Sequence, residues 1–254
     1  MDVQEHAARI VAAKSRCMPL SPLTEADGKL SIGDAWAIQD VVCEQIIQQG
    51  GRTLGWKLAA TGPIGRQALN TDQPIYGHLL AEQFADGATI SRSRFAGLGV
   101  EAEIAFRLGR KLAGPGLTSS SVRDSITCVM PAFELPDFVF SGKPNIVDFI
   151  AANAMPGGIV LGGEIQVVSD LADEEVVLEH NGQVVSRNRG AEVMGGPLNA
   201  VAWLANRFGE RGLSLMPDDI VMSGGISALL RPAAGDGIIA TFSSLGSVRI
   251  AISA

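Results

Sequence analysis

Two glutamates one residue apart, Glu101 and Glu103, interrupt an apolar stretch running from Leu98 to Phe106. Side chains alternate faces along a strand, so residues two apart share a face. Val100, Ala102, Ile104 and Phe106 make one face continuously apolar, and Ala105 follows the acids on the other. Two like charges about 4 Å apart repel by roughly 4 kcal/mol at an effective dielectric of about 20. A fold tolerates that pairing when a cation lies between the carboxylates or when one of them holds a proton. A third carboxylate, Glu134, lies in a second apolar run, Cys128 to Pro136. Three oxygen donors without a histidine or cysteine among them suit a hard ion, Mg²⁺ or Mn²⁺. The Glu-x-Glu spacing alone also fits the polar face of a half-exposed strand; the apolar flanks argue against that alternative.

The elements that would position these acids can be read from periodicity and punctuation. Residues 2 to 16 read as a helix with Val3, Ala7, Ile10 and Val11 on one face, and residues 33 to 49 as a second, capped by Ser31 and stopped by Gly50-Gly51. Residues 54 to 59 form a short expected strand that carries Trp56 and Lys57, 63 to 69 a brief helix, and 73 to 78 a loop. Beyond residue 88 strands dominate, at 88–92, 99–108, 128–134, 157–162, 174–180, 183–187, 219–222, 237–242 and 246–252. An Asn181-Gly182 pair turns one run back on the next. Helices are expected at 119–126, 146–153 and 197–211. The expected organisation is a small helical N-terminal region, residues 1–80, packed on a β-rich catalytic body, residues 81–254.

Composition excludes several classes. Hydrophobic residues make up 46% of the 254 and charged residues only 19%, which argues against disorder and coiled coil. A net charge of -7 with no concentrated Lys/Arg patch argues against nucleic acid as partner. No run approaches the roughly 18 apolar residues that a membrane span needs, and the N-terminus lacks the basic start and apolar core of a signal peptide. Cys17, Cys43 and Cys128 match neither a zinc pattern nor a disulfide framework and read as reduced, mostly core residues. The expected setting is cytoplasmic.

Several segments, in order, carry a likeness: Gly55-Trp56-Lys57-Leu58 with Thr61, Gln73-Pro74-Ile75-Tyr76-Gly77, Val100-Glu101-Ala102-Glu103-Ile104, and Glu134-Leu135-Pro136-Asp137. Asn181 to Val185, Ala200 to Ala205, Gly212 to Ser223 and Leu245 to Val248 continue it. Taken together they resemble the fumarylacetoacetate hydrolase superfamily, within it the branch of 2-keto-4-pentenoate hydratases and 4-oxalocrotonate decarboxylases. The resemblance implies an α+β fold, a mixed β-roll or distorted-barrel body like the C-terminal domain of fumarylacetoacetase, with a divalent metal at its mouth. It implies Glu101, Glu103 and Glu134 as metal ligands and Lys57 as the neighbouring acid/base group. A small 2-oxo acid would be the substrate and a homo-oligomer the working form. Ile75, His78, Asn153, Met155, Ser223, Gly224 and Gly225 are the candidate substrate-binding residues. A lysine beside a tryptophan in a strand also fits a snorkelling edge residue.

The chain departs from its branch at Ala152 to Pro156, where members carry a more polar segment. It also has Phe138-Val139 after Asp137, where an arginine that could hold a substrate carboxylate is usual. Ile75 and Gly224-Gly225-Ile226 are decarboxylase-like, whereas hydration is the broadest activity of the branch. The expected function is therefore a 2-keto-4-pentenoate (2-hydroxypenta-2,4-dienoate) hydratase, with 4-oxalocrotonate-type decarboxylation as the alternative. Acylpyruvate hydrolysis, which would need a histidine such as His78, and a catalytically inactive binding or assembly subunit are further alternatives.

Overall fold

The computed structural model describes residues 2–166 and 170–254. Its longer helices form in the segments expected from sequence, whereas the four-residue helix at Leu23–Ala26 was not expected. Helix α1 (Val3–Arg16) starts at Asp2, whose side chain accepts from the N–H groups of Gln4 and Glu5, and ends at Cys17 in the left-handed region. Next come α2 (Leu23–Ala26) and α3 (Ile32–Gln48), the latter opened by a reciprocal Ser31–Asp34 capping box. Downstream lie α4 (Pro63–Leu69), α5 (Ser119–Arg123), α6 (Ile146–Ala151) and α7 (Pro197–Gly209). Ile10 and Val11 of α1, Ile38 and Val42 of α3, and Val147 and Ile150 of α6 share one apolar core.

In chain order the strands are β1 (Gly55–Ala59), β2 (Ile75–His78), β3 (Glu82–Ala85), β4 (Thr89–Ser91), β5 (Glu101–Leu108) and β6 (Ile126–Pro136). Then follow β7 (Pro156–Leu161), β8 (Glu175–His180), β9 (Gln183–Arg189), β10 (Ile220–Met222), β11 (Gly237–Phe242) and β12 (Gly246–Ser253). A curled seven-stranded mixed sheet has the order β2-β1-β10-β5-β6-β7-β3, and a five-stranded sheet the order β4-β12-β11-β8-β9. This is the α+β architecture expected from sequence. The main core fills the space between the sheets: Ala102, Ile104 and Phe106 of β5 and Phe133 of β6 meet Ala240, Val248 and Ile250.

Two strand segments also differ from expectation. Residues 75–78, read as loop, form an edge strand antiparallel to β1, with Trp56 opposite His78 and Ala59 opposite Ile75. Pro74 before it and Gly77 within it are turn-like residues, so a four-residue strand left no periodic signal. Strand β3, Glu-Gln-Phe-Ala, was not expected; it is mostly exposed and pairs in parallel with β7 at the other edge. Because β1 and β2 belong to the large sheet, a division at residue 80 falls between strands of one sheet. Asn181 and Gly182 both have positive φ, 52° and 74°, as a two-residue hairpin turn requires.

Candidate metal centre and cavity

Register places the three acids. On β5, Glu101 and Glu103 share the face opposite Ala102 and Ile104. On the antiparallel neighbour β6, Glu134 stands directly across from Glu101. One carboxylate oxygen from each of Glu101, Glu103 and Glu134 lies within 4.8 Å of the others. Glu103 and Glu134 are buried, at 0% and 1% exposure, and Glu101 is half-buried. Below them Ala105, Cys128, Met130, Ile159 and Met222 make an apolar floor, so the site has little solvent to screen it.

Each acid has a different environment. Glu103 Oε2 accepts the Gly224 N–H at 2.9 Å, while its Oε1 is buried without a partner among the described residues. Glu134 Oε1 lies 2.6 Å from Lys57 Nζ. Burial pushes Glu101 up to about 7, with the charge of Glu134 adding to the effect and Lys57 and Arg231 opposing it. Burial, then the neighbouring carboxylates, raises Glu103 well above the usual range. Burial also raises Glu134, against the attraction of Lys57. Three converging carboxylates, two of them buried and one with an oxygen unpartnered among the described residues, fit a hard divalent cation.

Lys57 reaches this cluster from β1 and is only 3% exposed. Its Nζ also donates to the Ala154 carbonyl at 2.9 Å. An ammonium has three N–H donors, so one remains for a third partner. Gly224 and Gly225 close the other side as the chain leaves β10. Gly224 has φ +106°, and a Cβ there would meet Thr61 Oγ1 at 2.2 Å; a Cβ on Gly225 would lie 2.9 Å from Glu101 Oε1. Only glycine permits this backbone to pass so near the acids.

The cluster opens into a cavity of about 770 Å³ that Lys57, Thr61, Glu101, Met155 and Gly225 help to line. Asn153, Ala154 and Met155 are three consecutive residues in the left-handed region, at φ 56°, 53° and 56°. That conformation ends α6 before residue 152, short of the expected 153, and stores strain beside the site. Several contacts hold it. The Asn153 amide accepts the His78 N–H at 2.7 Å and donates to the His78 carbonyl at 2.8 Å, and Met155 accepts the Asp137 N–H at 2.9 Å. Lys14 of α1 donates to the Pro156 carbonyl just beyond.

The sequence-derived candidates thus separate. Glu101, Glu103, Glu134, Lys57 and Gly224 come together, and Met155 and Gly225 line the cavity. Ser223 is buried with an unpartnered hydroxyl, its N–H donating to Ile104. Ile75, Asn153 and His78 are absent from the lining. Ile75 packs in the helical core, Asn153 braces β2, and the His78 ring stacks on Trp56 with centroids 4.1 Å apart. His180 lies away from the cavity, half-buried at the end of β8, with Nε2 2.8 Å from Asp236. Phe138, Phe149, Ile226, Leu229 and Arg187 line the cavity without having been singled out as site residues. Phe149 comes from α6, Arg187 from β9 of the other sheet and the rest from loops, where no local pattern marks them.

The Fumarylacetoacetate (FAA) hydrolase C-terminal family model matches residues 66–253. This chain belongs to that family. It is 32% identical to a 2-hydroxyhexa-2,4-dienoate hydratase of Comamonas testosteroni, over 98% of this chain and 96% of the relative. It is also 32% identical to a 4-oxalocrotonate decarboxylase of Pseudomonas putida, over 95% and 93% of the two chains. Among solved structures, the 4-oxalocrotonate decarboxylase from Pseudomonas putida G7, complexed with magnesium and adipate, superposes with a TM-score of 0.93. The match spans 98% of this chain and 97% of that one at 29% identity.

Proposed function

We propose that the protein is a divalent-metal-dependent lyase that hydrates a 2-hydroxy-2,4-dienoate, of which 2-hydroxypenta-2,4-dienoate (the enol of 2-keto-4-pentenoate) is the simplest. The observation that carries this reading is the convergence of Glu101, Glu103 and Glu134, with Lys57 Nζ 2.6 Å from Glu134, at the base of an apolar-walled cavity. Relatives along nearly the whole chain carry hydratase names. The three carboxylates would hold Mg²⁺, or Mn²⁺ in its place, and the cation would supply Lewis-acid stabilisation of negative charge on the 2-oxygen of the substrate.

The chain's own residues account for the remaining needs. The free N–H of Lys57 is positioned to orient the substrate carboxylate or to carry a proton at Nζ. Its contacts with Glu134 and Ala154 fix the ammonium in one place, which is the value of a preorganised group. In hydration the proton of the 2-hydroxyl is lost and C5 gains one, giving a conjugated ketone. Water then adds at C4 and C3 takes a proton. The hydroxyl of Thr61 and the amide of Asn188 also line the cavity and are candidates to hold that water.

A second reading, decarboxylation of a 4-oxalocrotonate-type dicarboxylate, is favoured by the likeness to the decarboxylase and by the apolar wall at Met155. Ile75, which would support it from sequence, packs instead in the helical core. The two readings separate in one assay on Mg²⁺-loaded protein. Hydration consumes the ultraviolet absorbance of 2-hydroxypenta-2,4-dienoate without gas. Release of CO₂ from 2-oxohex-3-enedioate, with the dienoate untouched, would reverse the order.

A further inference from the structure

The cavity is far larger than a five-carbon acid needs. Pockets of roughly 300–1,000 Å³ enclose drug-sized ligands, and this one holds about 770 Å³. Beyond the acids its walls are apolar: Phe138, Phe149, Met155 and Leu229 face it, and Ile64 stands at 81% exposure among its lining residues. Isolated apolar side chains on a surface are ordinary, but several converging on one concavity mark a binding site.

Charge in the cavity points the same way. Its charged lining residues are Lys57, Glu101, Arg187 and Glu192. Lys57 is paired with Glu134, and Arg187 Nη1 lies 3.3 Å from Glu175. Lys57 is thus held in a buried pair and Arg187 in an exposed one at the rim, and two acids face the cavity. A third cation, Arg231, is close but does not line it. Its Cζ sits 3.4 Å from the centroid of Phe138, and it lines a neighbouring cavity of about 400 Å³ that shares Phe138 and Phe149 as a partition. Gly99 makes room for this arrangement: a Cβ there would meet Phe138 Cε2 at 2.7 Å and Leu229 Cδ1 at 2.9 Å.

We propose that Phe138, Phe149, Met155 and Leu229 form a distal subsite for an apolar tail, and that the Phe138 ring screens Arg231 from it. The preferred substrates are then 2-oxo or 2-hydroxydienoate acids ending in an alkyl or aryl group of several carbons, and a distal carboxylate is selected against. This rests on the function proposed above for the head of the same cavity. Each methylene moved from water into the subsite should tighten binding by about fourfold. A distal carboxylate seated against these four apolar side chains would lose its water with no cation among them, and should bind at least about tenfold more weakly than its methyl-ended analogue.

The test is a binding series on Mg²⁺-loaded protein by calorimetry: oxalate, 2-oxobutanoate, 2-oxooctanoate and 2-oxooctanedioate. The expected order has 2-oxooctanoate tightest and the dicarboxylate well behind it. Phe138→Ala should narrow that gap by at least about fivefold by unmasking Arg231, and adding Arg231→Met should restore it. Equal binding of the two eight-carbon acids to wild type, or no gain from four to eight carbons, overturns the subsite, and either result stands if Phe138→Ala fails to fold. Absence of Mg²⁺-dependent binding by every acid, oxalate included, would instead remove the underlying assignment of the head.

Discussion

Glu103→Gln should stabilise the metal-free protein and abolish its stabilisation by Mg²⁺. Ligand oxygens of the three acids lie within 4.8 Å of one another. At an effective dielectric of about 20, each charged pair at that distance repels by about 3 kcal/mol. Protonation limits the cost. Glu101 is pushed up to about 7, so one proton can be taken up at about pH 8 for roughly 1.4 kcal/mol. The net gain from a neutral isostere is then about 1–3 kcal/mol at that pH, and Gln keeps an acceptor for the Gly224 N–H. For a chain of this size that is a rise of about 2–10 °C in melting temperature. Thermal melts in EDTA and in saturating Mg²⁺ read both effects. Wild type should gain about 2.7 kcal/mol at a hundredfold excess of Mg²⁺ over its dissociation constant, and the variant little. The pH dependence has a definite sign. A carboxyl raised from 4.5 to about 7 on folding stabilises fully below 4.5, and that contribution is lost as pH rises through 7. Metal-free wild type should therefore weaken across that window, and Mg²⁺ should offset the loss. A Glu103→Gln protein that is less stable in EDTA at about pH 8 and still melts higher with Mg²⁺ would refute the reasoning.

Two further outcomes follow from neighbouring contacts. Lys57→Ala removes the cation 2.6 Å from buried Glu134, so turnover should fall by at least about a hundredfold while Mg²⁺ affinity changes less; full activity in steady-state assays would make Lys57 purely structural. Asn153→Ala deletes two hydrogen bonds to the His78 backbone and a residue that tolerates positive φ, and should cost about 2–3 kcal/mol in chemical denaturation. A loss of activity without that loss of stability would return Asn153 to the substrate.

The pairing of Glu101 with Glu103 was legible in the chain because it depends on short-range rules. Period-2 alternation puts Glu101 and Glu103 on one face whatever the rest of the fold does, and the apolar residues between them identify the strand as buried. The cap at Ser31 and the Asn181-Gly182 turn are equally local, and the structure forms both. The family likeness added Lys57, which no local pattern distinguishes from a snorkelling lysine. Tertiary structure decided the rest. The β5–β6 register sets Glu134 against Glu101, and curling of the large sheet brings Lys57 across to Glu134. Neither relation is encoded within a window of neighbouring residues. The same holds for side chains that the sequence suggested for the substrate. Strand β2 alternates like any strand, so His78 turns toward Trp56 on the face opposite Lys57. Ile75 lies on the Lys57 side but is captured by the helical core. Phe149 comes from α6 and Phe138 and Leu229 from the segments after β6 and β10, and they become one wall only when these elements close around the same space. Local alternation fixes which way a side chain points, but only packing between distant elements determines what it meets.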